Sequence, residues 1–311
     1  MSPTKRFLLM LVLTCLWSPS FLFIKLAVQE LPPLTIVSLR VSIAALILSA
    51  ILIWKRRSIP LKWDFWLRTT VMALFSSMFP FCLFCYAEQS IESAMAAILN
   101  GTSLMFTAVL AQMFVKSDRM NAQKALGVLI CCLGVVWLFA PQLLSGINST
   151  ALGMSAATLA AFSYAISHVY GKLYTTGQKP FVAPAAQLIV SSLLVWPFAL
   201  WHDQVWTLPW PSASAVMGVC GLALFGTVCA FIIYYKLLDH CGPTSISMVS
   251  CFFPVGGMIL GFLFLDESFT TNSMLASGAI LFGMLMVSEI NPFASFRKDQ
   301  GLIQESINDE S

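Results

Sequence analysis

Ten apolar runs divide this chain, and each is long enough to cross a lipid bilayer: residues 7–28, 34–54, 66–87, 92–115, 122–141, 152–171, 182–201, 213–236, 244–265 and 273–290. A hydrocarbon core of roughly 30 Å takes about 20 residues of helix. Backbone polar groups find no water there, so only helices or a closed barrel can span it. The runs are continuous rather than alternating, which excludes a barrel. Charged residues are 10% of the chain, against roughly 25% in a soluble domain. The fold class is therefore an all-α polytopic membrane protein with ten transmembrane helices. The N-terminus is short and basic ahead of an apolar stretch, but no small-x-small cleavage site closes it, so an uncleaved first helix is expected.

Charge placement gives a threading. With the N-terminus inside, fifteen of the seventeen Lys and Arg residues fall in inner segments, from Lys5 and Arg6 through Lys116 and Lys179 to Arg297 and Lys298. Lys25 and Arg40 lie within helices near the outer side, and the outer loops carry Glu30, Glu88, Glu92, Asp203, Asp266 and Glu267. That asymmetry places both termini in the cytoplasm of a multi-pass cell (inner) membrane protein. Residues 292–311 form a polar cytoplasmic tail.

The two halves echo each other. At an offset of 147 residues Trp17 meets Tyr164, Ser20 meets Ser167, Lys25 meets Lys172 and Arg40 meets Gln187. At 151 residues Asn121 meets Asn272 and Gly127 meets Gly278. Five helices is an odd number, so repeats over 1–146 and 147–291 thread the membrane in opposite senses, the inverted-repeat plan of many secondary transporters.

With these pieces in view, the chain resembles the EamA-type, ten-helix drug/metabolite transporters. The matching residues are Trp17-Ser18-Pro19-Ser20-Phe21 with Lys25, Leu31-Pro32-Pro33 with Arg40, and Ser93 to Ala97 in the first half. In the second half they are Gly242-Pro243-Thr244, Phe253-Pro254-Val255, and Asp266-Glu267-Ser268-Phe269-Thr270, which is similar to the family's Gly-Glu-Arg-Leu-Thr. Ser18-Pro19 replaces the usual Gly after the first Trp, and Val115-Lys116-Ser117 replaces the first half's Gly-Glu-Arg. The resemblance implies secondary transport of a small metabolite, an amino acid or related compound, by alternating access and in the export direction. It also implies a cavity lined by helices 1, 3, 4, 6, 8 and 9.

Five residues stand out as substrate-binding candidates. Arg40 sits roughly 9 Å inside helix 2 at 1.5 Å per residue, a depth at which a charge faces a cavity or a partner. Its planar fork suits a carboxylate, and the competing reading has it snorkel outward or pair with Glu30, Glu88 or Glu92 as structural glue. Trp17 and Tyr164 are deep rings related by the repeat. Asn100 is an uncharged polar residue in helix 4, which pairs with helix 9. His168 is the one histidine well inside a run and can carry a proton or simply pack. Tyr86, Tyr234 and Tyr235 lie near helix ends and read as an interfacial belt. Pro19 and Pro254 are candidate bends or gates, and Gly257 and Gly261 form a GxxxG packing pair.

The alternatives are a membrane-embedded enzyme and a non-transport sensor or assembly protein. An enzyme needs a clustered nucleophile, base or metal set. The sequence has no HExxH, GxSxG or paired intramembrane aspartate, and His168, His202 and His240 are scattered. No Walker sequence offers ATP coupling. No cofactor, metal or nucleic-acid partner is expected; the partners are the bilayer and a small molecule, with protons as the candidate coupling ion. No carboxylate lies deep in a run, which favours facilitated diffusion over strong proton coupling.

Overall fold

The computed structural model describes residues 3–115, 119–144, 148–177, 181–240, 243–268 and 270–288. The expected tail 292–311, Lys116, Lys179, Arg297 and Lys298 lie outside them. Among the described residues all regular structure is helical. The helices are α1 (Lys5–Val28), α2 (Pro33–Trp54), α3 (Trp63–Ala87), α4 (Ser93–Phe114), α5 (Ala122–Gln142), α6 (Ser149–Tyr174), α7 (Val182–Asp203), α8 (Ala213–Leu238), α9 (Val249–Leu265) and α10 (Thr271–Ser288). Nine have the length and apolarity to cross a bilayer; α9 is shorter and follows a helical turn at Pro243–Ser247. These are the ten elements expected, arranged as two inverted five-helix repeats.

The halves interleave. α5 packs along α10, α2 along α7 and α4 along α9, each helix against its own counterpart; α3 packs on α6 as α1 packs on α8. Small residues set the closest approaches, as between helices in lipid generally. A side chain on Gly257 would collide with the Ala97 Cβ across the α4–α9 seam, and one on Gly261 would strike the Glu267 carboxylate. The glycine pair is thus a packing device, and it also makes room for an acid.

Two pairs of counterparts share an irregularity, and a third pair does not. α3 holds a π turn at Leu74–Met78 and α8 holds one at Leu224–Cys229. α4 is interrupted at Thr102, between Ser93–Gly101 and Ser103–Phe114, and α9 opens on a tighter 3-10 turn at Met248–Phe252. Those two breaks meet: Ser103 Oγ donates to Ser250 Oγ at 3.0 Å, between residues 147 apart. Pro254 stands in the first turn of the helix that follows, where no N–H is missed; it starts a helical segment instead of kinking one. α1 is interrupted at Ser18 with Pro19 as the first residue of the next segment, while its counterpart α6 runs unbroken.

One end of the bundle is acidic, and there three carboxylates cross between halves to cap helices. Asp203 Oδ2, at the end of α7, accepts from Thr35 N and Oγ1 at the start of α2, at 2.7 and 2.8 Å. Glu30, after α1, accepts from Ser212 N and Oγ ahead of α8, at 2.7 and 2.5 Å. Glu267, after α9, accepts from Ser93 N and Ala94 N at the head of α4, at 2.6 and 3.1 Å. A carboxylate at a helix start meets both free N–H groups and the positive end of the dipole.

Candidate functional site

A cavity opens between the halves, and each of the five substrate-binding candidates lines it: Trp17, Arg40, Asn100, Tyr164 and His168. Its apolar wall comes from Phe21 and Ile24 of α1, Phe81 and Phe84 of α3, and Phe253 of α9. α1 reaches it with Trp17, Ser20, Phe21 and Ile24, one helical stripe at i, i+3, i+4 and i+7. The six expected helices therefore need one exchange. α2 enters through Arg40, and α8 stands behind that arginine.

Arg40 is 3% exposed. Its Nε donates to Thr227 Oγ1 at 2.8 Å and Nη2 to Gly226 O at 3.2 Å, both in the π turn of α8. The guanidinium carbon lies 3.5 Å from the centroid of the Phe81 ring. The Gly226 carbonyl also accepts from Trp17 Nε1 at 3.0 Å. Gly226 has no side chain for a reason: a Cβ there would lie 2.7 Å from Ser20 Oγ and 3.4 Å from Arg40 Nη2. No carboxylate comes within 4.0 Å of Arg40 among the described residues, so the ion pair with Glu30, Glu88 or Glu92 does not form. The result is a buried cation, stacked on one side, anchored from behind and lacking an anion.

Other polar groups in the cavity are also unspent. Asn100 Oδ1 and Ser20 Oγ are buried with no hydrogen-bond partner. His168 makes one long contact, Nδ1 to Thr107 Oγ1 at 3.4 Å, and its ring stacks on Tyr164 with centroids 6.4 Å apart. Tyr164 in turn stacks on Phe84 at 6.1 Å. Buried polar groups in native proteins are normally bonded, so two unbonded atoms around one void are exceptions to that rule.

Two residues read as interfacial are not. Tyr234 is buried against Trp17 and His168, with centroids at 5.9 and 5.8 Å. Tyr235 donates to Gln187 Oε1 inside the bundle. Tyr86 is exposed, as an interfacial ring would be. Phe81, Phe84, Phe253 and the α8 π turn were missed, although Phe81, Phe84 and Cys85 follow helical spacing on one face of α3. Pro19 and Pro254 bound the α1 and α9 segments that carry the lining residues.

Sequence comparison agrees with this architecture. The EamA-like transporter family model matches residues 4–140 and again 151–289. The chain is 24% identical over 273 residues to an uncharacterized transporter, YoaV, of Bacillus subtilis (strain 168), covering 88% of this chain and 93% of that one. It is 24% identical over 286 residues to a probable amino-acid metabolite efflux pump of Escherichia coli (strain K12), covering 89% and 92%. A solved structure titled only as the crystal structure of a protein superposes with a TM-score of 0.68 at 16% identity, covering 93% of this chain and 98% of the other. Two matched repeats, ten membrane helices and a cavity between the halves converge: this membrane protein belongs to the EamA-like transporter family.

Proposed function

We propose that the protein is a secondary transporter, and not an enzyme, that exports a small anionic or zwitterionic metabolite of amino-acid type by alternating access between its two halves. One observation carries the reading. Arg40 is a buried guanidinium without a carboxylate partner among the described residues, and it opens into a cavity where Asn100 Oδ1 and Ser20 Oγ also lack partners. A carboxylate bound there would take up the free face of the arginine and the Ser20 hydroxyl. An amine or amide N–H would suit Asn100 Oδ1, and the ring wall would receive an apolar body. The name of the Escherichia coli relative supports an amino-acid metabolite and outward transport. We take the two repeats as 1–146 and 147–291, the acidic end as the outer side and both termini as cytoplasmic, and Pro19 and Pro254 as the joints about which the cavity-lining segments move.

The test is flux in proteoliposomes across a panel of amino acids and their decarboxylated and amidated analogues, for the parent and Arg40→Gln. Compounds with a free carboxylate should be moved and should lose most of their flux in the variant. Equal flux of every compound through both proteins overturns the Arg40 role.

A further inference from the structure

A second unpartnered charge-bearing group lies outside the cavity, at the acidic end. Glu88 caps the end of α3 and is 0% exposed, and neither carboxylate oxygen has a hydrogen-bond partner. An ionised carboxylate offers about four acceptor positions, and here none is met. The cation beside it is committed elsewhere: Lys25 Nζ donates to the main-chain carbonyls of Glu88 and Ile91, at 2.8 and 2.7 Å. Lys25 thus holds the 88–91 turn down onto α1 and leaves the side chain of Glu88 unbonded.

The charges around Glu88 sharpen the point. Glu267 faces it from the segment after α9, its own oxygens satisfied by Ser93 N and Ala94 N. Glu92 lies in the same turn and shares the field of Lys25 and Glu267. Arg40 reaches from α2 only across Cys85, which feels both Arg40 and Glu88. The α6 segment packed against this turn, residues 149–157, carries no titratable side chain. Burial, with Glu267 adding to it and Lys25 opposing, raises the Glu88 carboxyl well above the usual carboxylate range. Phe81, Phe84, Cys85 and Glu88 share one face of α3, so Glu88 stands one turn beyond the cavity wall.

We propose that Glu88 is a proton-binding site that is occupied while the acidic end is shut, so that opening this end releases its proton. Opening must part α1, the 88–92 turn and residues 265–268, because Lys25 and Glu267 tie them together. Water then reaches Glu88 and the carboxylate ionises. The sign follows: the shut state binds the proton more tightly, so acid on this side favours the shut state. That preference is lost as pH rises through the shut-state value. The proposal rests on alternating opening of the acidic end and is independent of the substrate.

Infrared difference spectra of the purified protein between neutral and alkaline pH read the proton directly. The parent should show a protonated-carboxyl C=O band that disappears on alkalinisation and is absent from Glu88→Gln; a parent without that band overturns the site. Thiol labelling of a cysteine placed at Ile24, in a background with the native cysteines replaced, reads the opening. Expressed per thiolate, so that the ionisation of the introduced thiol is divided out, labelling from the acidic side should quicken several-fold as pH rises, and Glu88→Gln should stay slow throughout. A band with pH-independent labelling overturns the coupling. The amide copies the neutral acid, so Glu88→Gln should unfold no more easily than the parent at neutral pH; a clear loss of stability would show that the ionised form is needed and overturns the proposal. If Arg40→Gln transports normally while the band and labelling behave as expected, the substrate reading falls and the proton site stands.

Discussion

The π turns of α3 and α8 occupy matching places in the two halves, and each receives a polar side chain from the opposite half. Arg40, on α2, reaches the α8 turn at Gly226 and Thr227. Its repeat counterpart Gln187, on α7, reaches the α3 turn, where Nε2 donates to Ser77 Oγ at 2.6 Å. Freed carbonyls are caught in the same crossed manner, Gly226 O by Trp17 and Phe75 O by Ser163. The scaffold is duplicated; the chemistry is not. Gln187 is fully buried and has partners at both ends of its amide, Ser77 and Tyr235. Arg40 keeps a charge and a free face toward the cavity. A π turn leaves a helix with an irregular carbonyl that can be read from outside, and here one copy closes a core while the other holds a cation at the edge of a void.

Substitutions can break this contrast, beginning with the largest effect. Arg40→Gln makes the two docks alike. We expect the apparent affinity for a carboxylate-bearing substrate to fall by about 10- to 100-fold, the worth of a charge-assisted bond at roughly 1.5–3 kcal/mol, with thermal unfolding in detergent little changed. Gln187→Leu should do the reverse. It strands the Ser77 and Tyr235 hydroxyls and should cost about 1–3 kcal/mol of stability, read as a lower Tm, while flux per folded molecule is kept. Thr227→Val and Ser77→Ala form the next pair. The first removes one bond to Arg40 and should weaken substrate binding by roughly fivefold, for about 1 kcal/mol; the second should appear only in stability, by a similar amount.

The smallest effect contrasts the ends of α4 and α9. α9 stops at Asp266 with φ +52°, while α4 stops at Val115 with φ −119°. A left-handed position suits glycine, the residue the family motif carries there. Asp266→Gly should therefore raise stability by a few tenths of a kcal/mol, and Val115→Gly should lower it. Thermal scans of both variants give the sign.

Much of this was legible in the residues. Ten helices, their opposed threading and an acidic end follow from run length and charge placement. Arg40, Trp17, Asn100, Tyr164 and His168 could be named because polar or amphipathic groups deep in apolar runs are expensive without a task. They fall in one cavity because the repeat brings Trp17 and Tyr164 to matching depths. Other features could not be read that way. Glu88 looked like a boundary residue, one of several acids at helix ends, yet Lys25 folds its turn inward and buries it. Tyr234 and Tyr235 looked interfacial by position and are core by packing.

From sequence alone came everything the bilayer enforces: backbone polar groups must close into helices, and charges must gather at the ends. Tertiary structure alone decided which groups are left wanting a partner. Arg40 meets Thr227, Gln187 meets Ser77, and Glu88 meets no donor, through contacts between chain segments far apart in sequence. Whether a buried polar atom is satisfied depends on what another helix presents to it within about 3 Å, and no local pattern along one helix carries that information.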